Sequence, residues 1–192
     1  MKKFWNIQKD KLMRQVQLFE LDIYFFKHYL YNNIITWFPS YLLRVFYLRK
    51  ILKYEIGKNT FIHLGCYFYG GHVKIGNNSV IGRCCVFNGD ITIGDNTSIT
   101  AHTFVQCISH DKDSPSFKGC KSPIIIGNRV WIGARAMILP GVTIGDGAIL
   151  GAQSTLTKDI PPYTVFAGSP AKEVSKRSSN LDYELVYLPK FH

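Results

Sequence analysis

An isoleucine-like residue returns every six positions along most of the chain. One run is Ile75, Ile81, Phe87, Ile93, Ile99 and Val105; a second is Ile126, Ile132, Ile138, Ile144, Leu150 and Leu156; a short run, Ile56, Ile62 and Phe68, precedes both. A period of six is neither the 3.6 of a helix nor the 2 of a half-buried strand. Such repetition marks a solenoid, in which each short unit buries its apolar residue only against its neighbours. Glycine often follows the apolar residue, as at Gly76, Gly94, Gly127 and Gly133, and a small or β-branched residue often sits four places after it, as at Thr60, Ser79, Thr97, Ala136 and Ser154. The pattern predicts one short strand and one turn per hexad. The aliphatic side chain points inward, the small one packs beside it, and Gly turns the corner where a Cβ would clash. Three hexads close a triangular coil, and the fifteen hexads of the three runs give about five coils. Period alone leaves the hand of winding open, although parallel crossovers are normally right-handed.

Several motifs recur in order: Ile93-Gly94-Asp95-Asn96, Val130-Trp131-Ile132-Gly133-Ala134, Leu139-Pro140-Gly141-Val142-Thr143-Ile144-Gly145, Thr157-Lys158-Asp159-Ile160-Pro161-Pro162 and Ala167-Gly168-Ser169-Pro170-Ala171. Together they resemble the hexapeptide-repeat acyltransferases over roughly residues 54–175, nearest the maltose, galactoside and colanic-acid O-acetyltransferases. Ser109-His110-Asp111 followed by Asp113-Ser114-Pro115-Ser116-Phe117 resembles the colanic-acid type most. The resemblance implies a left-handed parallel β-helix, an all-β solenoid that breaks the crossover rule, and a homotrimer. It also implies acetyl-CoA as acyl donor, with no metal, and a saccharide hydroxyl as acceptor, in bacterial surface-polysaccharide synthesis.

Three regions are expected: a basic, aromatic, helical extension over 1–53, the β-helix over 54–170 with an inserted loop at 109–122, and a tail over 171–192. Residues 1–53 carry ten Lys or Arg against three acids, and 13 of the 27 aromatic residues. Helices are expected over 12–31 and 40–53, parted at Trp37-Phe38-Pro39-Ser40, where Pro39 breaks and Ser40 caps. In one reading this extension covers the open end of the first coil. In another it rests on an anionic membrane surface. Both can hold at once. No nucleic-acid motif accompanies the charge. There is no apolar run long enough to span a bilayer and no signal-peptide pattern at the start, so the expected location is cytoplasmic, with peripheral contact at the inner membrane face in the second reading. Cys66, Cys84, Cys85, Cys107 and Cys120 do not have zinc or disulfide spacing, and read as reduced, buried thiols.

The repeat breaks once on a large scale: Ile126 follows Val105 by 21 positions, three more than a full coil. Function concentrates where chain leaves a regular scaffold, and His110 lies in this stretch. By resemblance His110 is the catalytic base. A sugar hydroxyl is a weak nucleophile at neutral pH, and a neutral imidazole can take its proton during attack on a thioester. The second ring nitrogen then needs an acceptor to fix the tautomer, and the tetrahedral oxyanion needs backbone N–H donors, for which the corner amides around Gly133 and Ala134 are the candidates. The other histidines, His28, His63, His72, His102 and His192, are expected to be inert. A zinc site built from His63, His102 and His110, as in β-helical carbonic anhydrases, finds no support in their spacing.

The resemblance assigns the donor to Trp131, Gly133, Ala134, Ala152, Thr157, Lys158 and Lys172, with the lysines facing the phosphates of coenzyme A. The acceptor candidates are Asn88, Asp111 and Asp113. Asn88 stands where a corner glycine is usual, so it either orients a sugar hydroxyl or tolerates a left-handed corner. The alternatives to O-acetylation of a saccharide are N-acetylation of an amino sugar, acetylation of another small alcohol, and a metal-dependent hydratase.

Overall fold

A computed structural model describes residues 2–187, and side chains from Met13 onward. From Glu55 the chain winds as a three-sided parallel β-helix, with an N-terminal helical extension, as the hexad period requires. Sheet 1 stacks Glu55–Ile56, Val73–Ile75, Ile91–Ile93, Ile124–Ile126 and Thr143–Ile144. Sheet 2 stacks Phe61–Ile62, Val80–Ile81, Ser98–Ile99, Trp131–Ile132, Ile149–Leu150 and Thr164–Gly168, and sheet 3 stacks Tyr67–Tyr69, Val86–Asn88, Phe104–Gln106, Met137–Ile138 and Thr155–Leu156. Five coils are complete, and Ile160, bridged to Ile144, begins a sixth.

Every hexad aliphatic residue faces the interior: Ile62, Ile81, Ile132, Ile138, Leu150 and Leu156 are fully buried. The small residues pack beside them, and their hydroxyls do more than save space. Ser79 Oγ donates to the Gly94 carbonyl (2.9 Å) and Thr97 Oγ1 to that of Gly127 (2.8 Å). Corner carbonyls outside the strand ladder thus gain a partner inside the dry core, where an unmet one is costly. The corner glycines answer to crowding between coils. A Cβ on Gly94 would stand 2.5 Å from Asn128 Oδ1 and 2.7 Å from the Gly127 carbonyl carbon. The left-handed conformation falls two residues later, on Asn78, Asn96 and Arg129. Asn and Asp after the glycines form a second ladder: Asp95 N–H donates to Asn128 Oδ1 (2.8 Å), and Asn128 N–H to Asp146 Oδ1 (2.7 Å).

The extension consists of α1 (Lys2–Asn33), a single 3₁₀ turn (Ile35–Trp37) and α2 (Tyr41–Lys50). The break falls at the expected Phe38-Pro39, but Ser40 makes no side-chain capping bond; its carbonyl simply starts the helix by accepting from Arg44 N–H. A solenoid's first coil exposes a row of unpaired backbone groups, and the extension meets them one by one. Asn32 bonds both the N–H and the carbonyl of Phe68, Thr36 Oγ1 donates to the Cys66 carbonyl, Arg44 to that of Ile62, and Arg49 to those of Ile56 and Gly57. Tyr31, Leu48 and Val45 cover the apolar end of the core. Two of the basic residues that give the extension its charge are therefore engaged in capping. At the opposite end, the stretch expected as a tail starts as a strand: Ala171–Lys176 pairs antiparallel with Thr164–Gly168. Beyond it the chain returns along the corner of sheets 1 and 2, where Leu185 N–H meets Asn96 Oδ1 and Tyr187 packs against Phe61 and His63.

The step of 21 positions from Val105 to Ile126 is not a coil with three extra residues. Phe104–Gln106 and Ile124–Ile126 are successive strands on sheets 3 and 1, a step that takes six residues from Phe87 to Ile93. The remainder leaves the corner as an antiparallel hairpin, Ile108–His110 against Gly119–Lys121. Of the cysteines, Cys66, Cys85 and Cys107 are buried, Cys84 is half-buried, and Cys120 is exposed on this hairpin; all five are free thiols. The expectation of uniformly buried thiols is corrected at Cys84 and Cys120. Burial pushes the Cys107 thiol up to about 11.

Candidate active site

His110 ends the outgoing strand of the hairpin, opposite Gly119. The chain then turns through Asp111–Phe117, held by Ser114 N–H on the Asp111 carbonyl, Phe117 N–H on that of Ser114, and Asp111 N–H on that of Lys118. Phe117 takes a left-handed backbone conformation, φ 49°, which is rare for a bulky residue. It lays the Phe117 ring flat on the imidazole, with centroids 4.1 Å apart and planes 9° apart, and brings the Phe117 carbonyl to 2.9 Å from His110 Nδ1. With a carbonyl as partner, Nδ1 must carry the hydrogen. The lone pair of a neutral imidazole then lies on Nε2. The acceptor that general-base chemistry requires is thus Phe117. The Pro115 turn before it was a visible signal, but only the hairpin register aims its carbonyl.

At the foot of the hairpin a cleft of about 360 Å³ separates α1 from the corner of sheets 3 and 1, lined by Tyr24, Phe25, Tyr69, Asn88, Ile108 and Lys121 among others. Ile108 and His110 are two apart on one strand, so they project from the same face of the hairpin. Asn88 is a strand residue in register with Tyr69 and Gln106. The left-handed corner is taken by Gly89, φ 106°, so the reading of Asn88 as a left-handed corner residue is corrected. The aromatic walls from α1 were not foreseen, because sequence periodicity gives no angle between a helix and a solenoid. Asp111 and Asp113 lie within the turn: Asp111 Oδ1 accepts from Asp113 N–H, and Asp113 pairs with Lys112.

The expected donor residues divide between two corners. Trp131 is exposed on sheet 2, its indole donating to Thr100 Oγ1. Gly133, Ala134 and Ala152 form the corner of sheets 2 and 3, and Lys172, paired with Ala167, lies on the last coil of the same side. Thr157 and Lys158 follow the sheet 3 strand Thr155–Leu156, so they stand at the sheet 3 to sheet 1 corner, above the hairpin. The Gly133 N–H is committed to the Leu150 carbonyl at 2.7 Å, which removes it as an oxyanion donor. The Ala134 N–H has no partner among the described residues. Within one chain sheet 3 separates His110 from Trp131 and Ala134.

The remaining histidines have structural places. His28 bridges the Tyr24 carbonyl and Tyr54 hydroxyl, His72 pairs with Glu55 at 2.9 Å, His63 meets Phe61 edge-on and Tyr187 at a tilt, and His102 holds a left-handed corner. His192 lies outside the described residues. Among the described residues no three His, Cys, Asp or Glu side chains gather as a metal-binding group.

The three-sided coil of hexads, interrupted once by a histidine hairpin, defines a hexapeptide-repeat β-helix. The family description "Bacterial transferase hexapeptide (six repeats)" matches residues 72–106 and 123–158, and the gap between the two matches is the hairpin. The chain is 34% identical over 149 residues to WcaF of Escherichia coli (strain K12), named for an acetyltransferase step in colanic acid biosynthesis, covering 76% of this chain and 82% of the relative. It is 38% identical over 133 residues to the galactoside O-acetyltransferase of the same organism, covering 66% of each. Among solved structures, AntD, an N-acyltransferase from Bacillus cereus in complex with dTDP and 3-hydroxybutyryl-CoA, superposes with a TM-score of 0.61 at 25% identity, covering 65% of this chain and 73% of that one. The chain belongs to the hexapeptide-repeat acyltransferases, and these relatives in sequence are named acetyltransferases.

Proposed function

We propose that this chain transfers the acetyl group of acetyl-CoA to a hydroxyl of a saccharide, as a homotrimer, in the building of a surface polysaccharide. One observation carries the assignment of His110: its Nδ1 is tied to the Phe117 carbonyl, which leaves Nε2 as a base on the same hairpin face as Ile108, at the edge of a cleft that also contains Asn88. In this reading the sugar lies in the cleft, its ring against the aromatic walls and a hydroxyl near Asn88. His110 Nε2 takes the hydroxyl proton as the oxygen attacks the thioester carbonyl. The oxyanion is met by the Ala134 N–H of the neighbouring chain. Collapse breaks the carbon–sulfur bond, and the imidazolium returns its proton to the departing coenzyme A thiolate. Lys158 and Lys172 neutralise the donor's phosphates. The split of the donor residues from His110 within one chain favours a site built between two subunits, since a single convex prism offers little concavity for a pantetheine arm.

A mixed-trimer assay with labelled acetyl-CoA and a panel of saccharides and amino sugars tests the reading. Homotrimers of His110→Ala are expected to lose on the order of 10²–10⁴ in rate while keeping donor affinity, and those of Ala134→Trp to lose donor binding. Trimers mixed from the two should recover activity above either parent. Activity of His110→Ala within a few-fold of wild type refutes the base assignment. Failure to recover on mixing refutes the shared site. Exclusive labelling of amines replaces O-acetylation with N-acetylation.

A further inference from the structure

Helix α1 keeps apolar side chains, Val16, Phe19 and Phe26, largely exposed among the described residues. Its last turns pack on the solenoid through His28, Tyr31 and Asn32, all buried. At 3.6 residues per turn, a second stripe carries Val16, Phe19, Ile23, Phe26 and Leu30, with Ile23 at the edge of a groove shared with Ile51 and Leu52, and Leu30 packed against the core. Their spacing is 3, 4, 3, 4, the a and d positions of a heptad, with Val, Ile and Leu at a and Phe at d. Val16 is 45%, Phe19 65%, Ile23 38% and Phe26 62% exposed. Leu30, where the stripe meets the body, is half-buried. Phenylalanine side chains on a water-facing helix lose the stabilisation of burial, and a continuous apolar stripe marks a contact surface.

Two occupants compete, an anionic lipid surface and another helix. A helix lying in a lipid interface needs one strongly polar face, rich in Lys and Arg. From Met13 to Leu30 Arg14 and Lys27 balance Glu20 and Asp22, so the stripe carries no net positive charge. Leu18, Leu21 and Phe25 are exposed away from the stripe as well, so no polar face exists there. Arg44 and Arg49, which add to the positive charge of the extension, are bonded to carbonyls of the first coil. The charges beside the stripe instead fit a second copy. Asp22 falls at g and Lys27 at e of the next heptad, five residues on. In a parallel pair of helices these positions face each other across the seam with opposite sign.

We infer that the Val16–Leu30 stripe is the seam of a parallel coiled coil between the α1 helices of separate copies of this chain. This does not rest on the acetyl-transfer reading. It does bear on that reading's cleft, because Tyr24 and Phe25 form one wall of it, and a helix held by a neighbour holds the wall.

Same-residue disulfide formation in the full chain tests the seam. Cys120 is the exposed native thiol, so the background is Cys120→Ser. In a parallel seam identical d residues from two chains face each other. Under mild oxidation Phe19→Cys and Phe26→Cys should each link chain to chain, about tenfold more than Gln17→Cys outside the seam, because the seam raises the local thiol concentration to the millimolar range. Asp22→Lys should lower the linkage of Phe26→Cys, and Asp22→Lys with Lys27→Asp should restore it. Equal linkage at the three positions, or none while circular dichroism shows the chains folded, overturns the seam. Flotation with phosphatidylglycerol vesicles that Phe26→Asp abolishes, in chains that do not link, assigns the stripe to lipid and overturns it too.

Discussion

Gly94→Ala tests whether coil-to-coil crowding is what holds glycine at the corners. A Cβ at residue 94 would meet Asn128 Oδ1 at 2.5 Å, the Gly127 carbonyl carbon at 2.7 Å and Asn128 N at 2.8 Å. Ordinary carbon contacts begin near about 3.5 Å, so the coils would have to part by several tenths of an ångström or more. They are pinned by Gly94 N–H on the Ile126 carbonyl at 2.8 Å and Asp95 N–H on Asn128 Oδ1 at 2.8 Å, so the methyl cannot be absorbed without stretching two hydrogen bonds. Overpacking of this kind costs about 1–3 kcal/mol, or roughly 2–12 °C in Tm at about 2–4 °C per kcal/mol for a chain of this size. Gly119→Ala is the control, since a Cβ there meets nothing within 4 Å. Both changes remove similar freedom from the unfolded chain, worth about 0.4–1 kcal/mol, so that contribution cancels in the comparison. Thermal melts at one protein concentration measure the difference. Equal melting temperatures for the two variants would refute the crowding account.

Arg44→Met should destabilise by about 1–3 kcal/mol, the cost of leaving a buried acceptor unsatisfied, because Arg44 is fully buried and bonded to the Ile62 carbonyl; a denaturant titration showing less than about 0.5 kcal/mol would make the cap incidental. The hairpin's tie to the corner should fail in acid. Asp90 pairs with Lys121 at 2.9 Å and accepts from His72 N–H, and these hold its carboxyl below the usual range. A depressed pKa gives stability that is present above the unfolded value near about 3.9 and lost as pH falls through the folded one. The Tm difference between wild type and Asp90→Asn should therefore be constant at neutral pH and close below about pH 4; a difference that persists there would show that the ion pair is not its source.

The hexad runs, read alone, determined the solenoid, the inward side of every strand and the near-total burial of Ile62, Ile81 and Leu150. Each is a local consequence of a period that only a stacked coil can satisfy. The resemblance carried by His110 and its flanking residues singled it out as the candidate base. Other features were not legible. The inserted loop expected over 109–122 gave no sign of its form or of how many hexad steps it replaces; the pairing of Ile124–Ile126 with Ile91–Ile93 shows a single step with a hairpin outside it. The acceptor for His110 Nδ1 depends on a left-handed Phe117 folded across the hairpin, and the cleft depends on the angle at which α1 meets the solenoid. Which of the two candidate corner amides is bonded is decided by the next coil, which uses Gly133 and, among the described residues, spares Ala134. Periodicity fixes which way a side chain points within its own element. Which elements meet, and which polar groups are left over when they do, is decided by packing between residues far apart in the chain.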